Sequence, residues 1–134
     1  HVDDTMLLRM RRETDGQYIR DLIARGRIGR VLSLRLFHAV HLPATLQGWR
    51  IKDASAGGGV IPDITVHDAD VARFLLGEDP LTVVAQMSAS GMGQGVEDSA
   101  MSVWTMPSGA MVQSHESFTH PFAGSGLEVH GTEG

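Results

Sequence analysis

The chain has 134 residues, of which 42% are hydrophobic and 20% charged, and its formal net charge is −5. These values are typical of one globular domain that folds in water, and they exclude disordered and collagen-like chains. Because cysteine is absent, a disulfide-stapled fold is excluded as well. The acidic balance argues against a nucleic-acid partner, which needs clustered Lys and Arg. We find no bilayer-spanning stretch and no secretory signal, so the sequence predicts a cytoplasmic protein without a membrane partner.

The two ends of the sequence predict a piece of a longer chain. The first residue is His1 rather than Met, and the last four residues, 131–134, read as a turn with nothing after it. A second domain or a cofactor site is therefore expected outside these residues.

The first half of the sequence carries helical patterns and one long strand. Met6–Met10 predicts a short strand, and Gly26 is suited to end a helix that begins near residue 15. Val31–Val40 is β-branched or apolar and predicts a strand whose far end brings two histidines together, His38 and His41. A second helix is expected from Pro62 to Gly77, because proline is tolerated in a first turn and glycine favours a helix end.

From residue 81 onward the pattern has period two, which is typical of strands. Pro107-Ser108-Gly109 predicts a hairpin turn, and Gly91–Gly95 predicts a flexible hairpin loop without a cofactor. Helices followed by successive hairpin strands indicate an α+β fold with an open, mainly antiparallel sheet packed with helices. We expect a helix to cover the face with Leu81, Val83, Ala85 and Met87, and the other face to pack against a second subunit. His115 and Glu116 lie in a predicted strand and are expected to be surface residues.

Three polar residues in the second helix form the strongest candidate site. Asp63, His67 and Asp70 lie at i, i+4 and i+7, so they share one edge of a helix. A carboxylate one turn from a histidine can accept the ring N–H and stabilise an imidazolium, which is a general-base arrangement. The same spacing fits a surface pair with Asp63 capping the helix, or a metal site that also uses His38 and His41. Spacing alone leaves these three interpretations open.

Several short segments occur in an order that is specific when they are taken together. They are Gly26-Arg27-Ile28-Gly29-Arg30-Val31, Gly48-Trp49-Arg50, GGGVIPDITVHDADVARFLLGEDP from Gly57, Val96-Glu97-Asp98, and Leu127 to Gly134. In these segments the chain resembles the glucose-fructose oxidoreductase / inositol dehydrogenase (Gfo/Idh/MocA) family. The most specific element is the glycine pair followed by Asp-x-x-x-His-x-x-Asp.

The resemblance implies an N-terminal Rossmann domain that binds NAD or NADP, followed by an α+β domain. Residues 1–14 resemble the edge of the Rossmann domain and a linker, and residues 15–134 resemble the substrate and oligomerisation domain, truncated at its C-terminus. Neither a GxGxxG loop nor the Glu-Lys-Pro motif is present, so no cofactor-binding residue is assigned in this chain. The dinucleotide would be bound mainly by the missing domain, and the 134 residues alone are expected to be inactive.

The resemblance also implies roles for individual residues. His67 would be the general acid/base as a hydride passes between a nicotinamide and a secondary alcohol of a sugar, cyclitol or related ring diol, and Asp63 would orient it and stabilise its charge. Asp70 and His41 match substrate-contact positions, and Arg50 suggests an anionic group on a small-molecule substrate. No metal ligand is implied. The family forms homodimers or homotetramers through its sheet. Two alternatives are a non-catalytic homologue or assembly module of the same fold, and a metal-dependent lyase or hydrolase.

Overall fold

A computed structural model describes residues 14–134, and the predicted strand Met6–Met10 lies outside them. Within that range no helix is long and apolar enough to span a bilayer. The helices are α1 (Thr14–Ala24), α2 (Ala44–Gln47), a π-helix (Ile61–Thr65) and α3 (Val66–Leu76), with 3-10 turns at Gly48–Ile51 and Ala54–Ala56. The strands are β1 (Val31–Ala39), β2 (Thr82–Ser88), β3 (Ser99–Thr105), β4 (Met111–Ser117) and β5 (Ser125–Gly131).

The five strands form one sheet in the order β2-β3-β4-β1-β5. β1 pairs in parallel with β4, and the other three neighbouring pairs are antiparallel. This confirms the predicted α+β fold with a mainly antiparallel sheet. The insertion of β1 between β4 and β5 is a tertiary feature that the periodicity did not predict.

Glycines end both long helices, as the sequence predicts. After α1, the N–H of Gly26 donates to the carbonyl of Ile23, and the N–H of Arg27 donates to the carbonyl of Leu22. This pair of hydrogen bonds is a Schellman motif, and Gly26 has a φ of +68°. Gly77 ends α3 in the same left-handed region, with its N–H on the carbonyl of Arg73.

The core lies between the helices and one face of the sheet, which we call the inner face. Leu34, Trp104 and Val112 from three different strands are at most 4% exposed, and they form one cluster with Ala72 and Leu75 of α3. A second cluster surrounds the start of the π-helix and contains Leu42, Ile51, Val60, Ile64, Ala100 and Phe118. Both clusters fix α3 and the π-helix to the sheet through buried apolar area.

The prediction that a helix covers the apolar side of β2 is wrong. All seven residues of β2 are exposed, including Val83 at 55% and Met87 at 65%. One helix is about 10–12 Å wide and strands are about 4.8 Å apart, so α3 covers only two or three central strands. β2 lies at the edge of the sheet, where Val83 and Ala85 line a groove of about 300 Å³ beside α3.

Candidate functional site

The segment before the π-helix depends on three consecutive glycines. A Cβ on Gly58 would lie 2.6 Å from the carbonyl oxygens of Trp49 and Asp53, and a Cβ on Gly59, whose φ is +110°, would overlap the Glu97 carboxylate. The glycines let the chain pass close enough to its neighbours to start the π-helix in the core.

Glu97 holds the first residues of the π-helix. Its backbone carbonyl accepts from the N–H of Val60 at 3.1 Å, and its carboxylate accepts from the N–H of Ile61 at 3.0 Å. The first N–H groups of a helix have no partner within the helix, so Glu97 supplies what they lack. The side chains carried by the π-helix are therefore fixed relative to the loop between β2 and β3.

That loop is itself organised by the buried carboxylate of Asp98. One oxygen accepts from the N–H and hydroxyl of Ser90, and the other accepts from the N–H groups of Gly91, Met92 and Gly93, all at 2.8–3.0 Å. Burial raises the pKa of Asp98, but these hydrogen bonds outweigh burial and hold the pKa well below its ordinary value. The predicted hairpin is confirmed, because β2 and β3 pair antiparallel. Its loop was expected to be flexible, but hydrogen bonds hold it around the Asp98 carboxylate.

Asp63 forms an ion pair with Arg50. The helix predicted from Pro62 is present, but its first part is a π-helix, so Asp63 and His67 do not have α-helical spacing. The Nε atom of Arg50 lies 3.4 Å from the Asp63 carboxylate oxygens, and the guanidinium stacks on the ring of Trp49. Asp63 makes no side-chain cap on the helix, contrary to one interpretation of its spacing.

His67 is buried in the first turn of α3. It is 6% exposed, and its Nδ1 atom has no hydrogen-bond partner among residues 14–134. The expected hydrogen bond from this ring nitrogen to Asp63 is therefore not formed. The π-helical winding changes the angle between the side chains of Asp63 and His67, and the Asp63 carboxylate pairs with Arg50 instead.

His38 lies on the inner face of β1, close to His67. Burial and the neighbouring His67 lower the pKa of His38, while the charges of Glu116 and Asp63 oppose that shift. β1 and β4 are in register so that His38 and Glu116 are direct neighbours across the two strands. His38 is thus in electrostatic contact with both predicted catalytic residues, although the sequence analysis considered it only as a metal ligand.

Two buried carboxyl groups were missed by the sequence analysis. Glu116 was expected at the surface, but it is 0% exposed, and Asp68 is 4% exposed. Burial first, and then the neighbouring Glu116 carboxyl group, raise the pKa of Asp68 to about 8. The period-two pattern contains the missed signal, since Glu116 lies four residues after the buried Val112 and therefore on the same face.

The remaining predicted substrate residues, His41 and Asp70, are more exposed than this buried group. His41 is exposed and follows the end of β1, where an isolated antiparallel bridge joins it to Thr119. Asp70 is half-buried on α3, one turn beyond Val66. In the part of the chain that the structure describes, no three His, Asp or Glu side chains converge as metal ligands. The structure thus brings Arg50, Asp63 and His67 into one region and leaves His41 nearer the solvent.

The fold is that of the C-terminal domain of one family of oxidoreductases. The family model for the GFO/IDH/MocA C-terminal domain matches residues 17–134, and the chain belongs to the Gfo/Idh/MocA family.

Individual relatives agree with this assignment. The chain is 56% identical over 117 residues to a 1,5-anhydro-D-fructose reductase of Ensifer adhaerens, covering 87% of this chain and 35% of the relative. An aldose-aldose oxidoreductase structure from Caulobacter crescentus matches at a TM-score of 0.80 and 28% identity, covering 92% and 37% of the two chains. A levoglucosan dehydrogenase in complex with NADH and levoglucosan matches at 0.73 and 28%, covering 85% and 34%. The chain therefore spans little more than a third of these relatives.

Proposed function

We propose that this chain is the substrate-side domain of an NAD(P)-dependent oxidoreductase that interconverts a secondary alcohol and a carbonyl on a sugar, cyclitol or related ring diol. His67 acts as the general acid/base. The observation that carries the proposal is the buried imidazole of His67, which has an unpartnered ring nitrogen and follows Asp63, the partner of Arg50, by four residues. The names of the relatives, which include a sugar reductase and a levoglucosan dehydrogenase, support the substrate class.

We assign the dinucleotide mainly to residues outside this chain. A Cβ at Gly58 or Gly59 would meet backbone carbonyls or the Glu97 carboxylate, so we do not propose these glycines as a pyrophosphate cradle. A nicotinamide, when bound by other residues, supplies the hydride donor or acceptor. In this proposal the chain supplies the general acid/base that transfers the proton, and it supplies contacts that orient the substrate.

Proton transfer at His67 follows from its surroundings. In the oxidation direction the neutral ring takes the hydroxyl proton, and in reduction the imidazolium returns it to the developing alkoxide. Burial excludes water from the ring, so neighbouring charges act on the imidazolium more strongly than they would in bulk solvent. Arg50 and Asp63 are partly exposed at 29% and 20%, which supports a position for their ion pair between the buried ring and the substrate. Asp70 and His41 remain proposed substrate contacts.

Substitution of His67 tests the proposal directly. In the intact protein, His67→Asn should lower kcat by about a hundredfold or more while leaving dinucleotide binding unchanged, because a positioned acid–base group is lost. His130→Asn is the matched control, since His130 is an exposed histidine on β5 near Glu128. Full turnover by folded His67→Asn protein, with any relative's sugar substrate, would remove His67 from the mechanism.

Asp63 provides a second, independent test. Asp63→Asn should also impair turnover, and the double variant with His67→Asn should lose much less than the product of the two single losses, because the residues act as a unit. Independent, multiplicative losses would contradict a shared proton-transfer role.

We also propose that the outer face of the sheet forms a homodimer or homotetramer contact. Val84 and Val103 pair across β2 and β3 on this face, and they are 71% and 41% exposed. Met101 and Met111 add apolar surface at 54% and 52% exposure. A contiguous apolar patch of this kind is typical of a protein–protein contact.

Sedimentation of the intact protein tests this assembly. Val103→Lys should shift the protein toward a monomer, whereas Tyr18→Lys, on an exposed residue of α1 away from the sheet, should not. A concentration-independent monomer in the unsubstituted protein would contradict the proposal.

A further inference from the structure

Four titratable side chains lie in neighbouring pairs between the start of α3 and the inner face of the sheet. His67 and Asp68 are consecutive residues of α3, and they face His38 and Glu116, which are register partners on β1 and β4. Glu116 is 0% exposed, Asp68 4% and His67 6%. A buried group of this composition is unusual, because isolated charges in a core are costly unless they are paired.

The hydrogen-bonding of these carboxyl groups is incomplete without an extra proton. Asp68 Oδ2 and both carboxyl oxygens of Glu116 are buried and have no donor partner among the described residues. Buried polar atoms normally have a partner, and two adjacent buried carboxylates repel each other. One proton between Asp68 and Glu116 supplies a donor and leaves the pair with a single negative charge.

The Asp68–Glu116 pair determines the net charge of the buried group. Asp63 is matched by Arg50, so its negative charge is already compensated by an ion pair. With both imidazoles neutral, the group of Arg50, Asp63, the carboxyl pair, His38 and His67 carries one uncompensated negative charge. Uptake of one proton by an imidazole makes the whole group neutral.

We propose that Asp68 and Glu116 hold one proton between them, and that the single negative charge left on this pair is the counter-charge for the proton taken up by His67. The proposal rests on the proposed function, in which that proton comes from the substrate hydroxyl. The hydroxyl O–H bond breaks, an N–H bond forms on the ring, and the hydride leaves the carbon with two electrons for the proposed nicotinamide. The proton shared by the pair stays where it is.

His38 connects the pair to His67. The groups facing His38 are His67 from α3, Glu116 from β4 and Asp63 from the π-helix, and those facing Glu116 are Asp68 and His38, with His115 next to it on β4. Burial and the neighbouring His67 lower the pKa of His38, which favours its neutral form beside Glu116. Asp68 and Glu116 are positioning residues, since they act on the proton through His38.

Isosteric amides test the charge count. In Asp68→Asn or Glu116→Gln, the amide donates to the remaining carboxylate, so each single variant keeps one negative charge. The double variant keeps none. We measure proton uptake by the imidazoles in the intact protein, without substrate or dinucleotide, by NMR of ¹⁵N-labelled histidine. In the double variant the proton affinity of the imidazoles should fall by about tenfold or more. In Asp68→Asn that affinity should change little.

Two results would overturn the proposal: an unchanged imidazole titration in the double variant, or an Asp68→Asn effect as large as that of the double variant. Should the double variant not fold, NMR of ¹³C-carboxyl-labelled unsubstituted protein decides the matter. One carboxyl of the pair should remain protonated at pH 6, and ionisation of both below pH 5 refutes the shared proton.

These measurements separate failure of this inference from failure of the proposed function. Suppose that His67→Asn is active and that the imidazoles of the double variant bind their proton more weakly, as expected. His67 is then rejected as the acid/base, and the shared proton stands. If His67→Asn is inactive and the imidazole titration of the double variant is unchanged, the proposed function stands and the shared proton is rejected.

Discussion

Replacement of Asp98 by Asn should destabilise the protein strongly, although it changes only one atom. The two carboxylate oxygens of Asp98 accept five hydrogen bonds, four from backbone N–H groups and one from the Ser90 hydroxyl. An amide has one oxygen. If that oxygen faces Gly91, Met92 and Gly93, the amide NH₂ is directed at the Ser90 N–H, donor against donor.

The size of the loss follows from these contacts. One buried N–H loses its acceptor, which costs about 1–3 kcal/mol, and three more lose a charged acceptor. We therefore expect Asp98→Asn to lower the free energy of unfolding by about 2–4 kcal/mol at pH 7. Asp79→Asn is the control, because Asp79 pairs with Arg73 at the exposed surface, where an ion pair contributes about 0–1 kcal/mol.

The pH dependence gives a second signature. The pKa of Asp98 is lowered in the folded state, so its contribution is complete above the ordinary Asp pKa near 4 and is lost as pH falls further. At pH 3 the difference between Asp98→Asn and the unsubstituted protein should be about 1 kcal/mol smaller than at pH 7. Urea unfolding followed by the fluorescence of the buried Trp104 measures both values. A loss below about 0.5 kcal/mol at pH 7 would refute the reasoning.

Two further predictions use the same unfolding assay. Gly93→Ala should destabilise the protein by about 1–3 kcal/mol, because its Cβ would overlap a backbone carbonyl, whereas Gly91→Ala meets nothing within 4 Å and should change stability by less than about 0.5 kcal/mol. The pKa of Asp68 is raised to about 8, so the folded state holds a proton that the unfolded state has released, and stability is lost as pH rises through 8. Between pH 7 and 8 the free energy of unfolding should fall by up to about 1.4 kcal/mol, and Asp68→Asn should abolish that slope.

Local sequence signals predicted the parts of the fold that depend on local physics. Gly26 and Gly77 mark helix ends because glycine reaches positive φ easily, and both have it here. The period-two segments predicted the strands because successive side chains of a strand point to opposite faces of the sheet. Asp63 and His67 were found because they lie four residues apart in one segment.

The features that the sequence did not reveal depend on which segments meet in space. Arg50 reaches Asp63 only because the glycine triplet folds the intervening loop back on itself. Glu116 meets His38 only because β1 pairs with β4. The π-helical turn depends on anchoring by Glu97, which is 36 residues away from Ile61. No window of neighbouring residues contains these pairings.

The parallel pairing of β1 with β4 has a consequence for the order of folding. β2, β3 and β4 are joined by hairpins and can associate through short loops, whereas contacts between β1 and β4, such as Arg35 with Gln113, close 78 residues of chain. Loop closure over that distance is slow, so β1 should enter the sheet after the three-strand meander has formed. Pulsed hydrogen exchange should accordingly protect β3 amides before those of β1. Until β1 arrives, Glu116 has no His38 beside it, so the buried surroundings of Glu116 are complete only after the three-strand meander has formed.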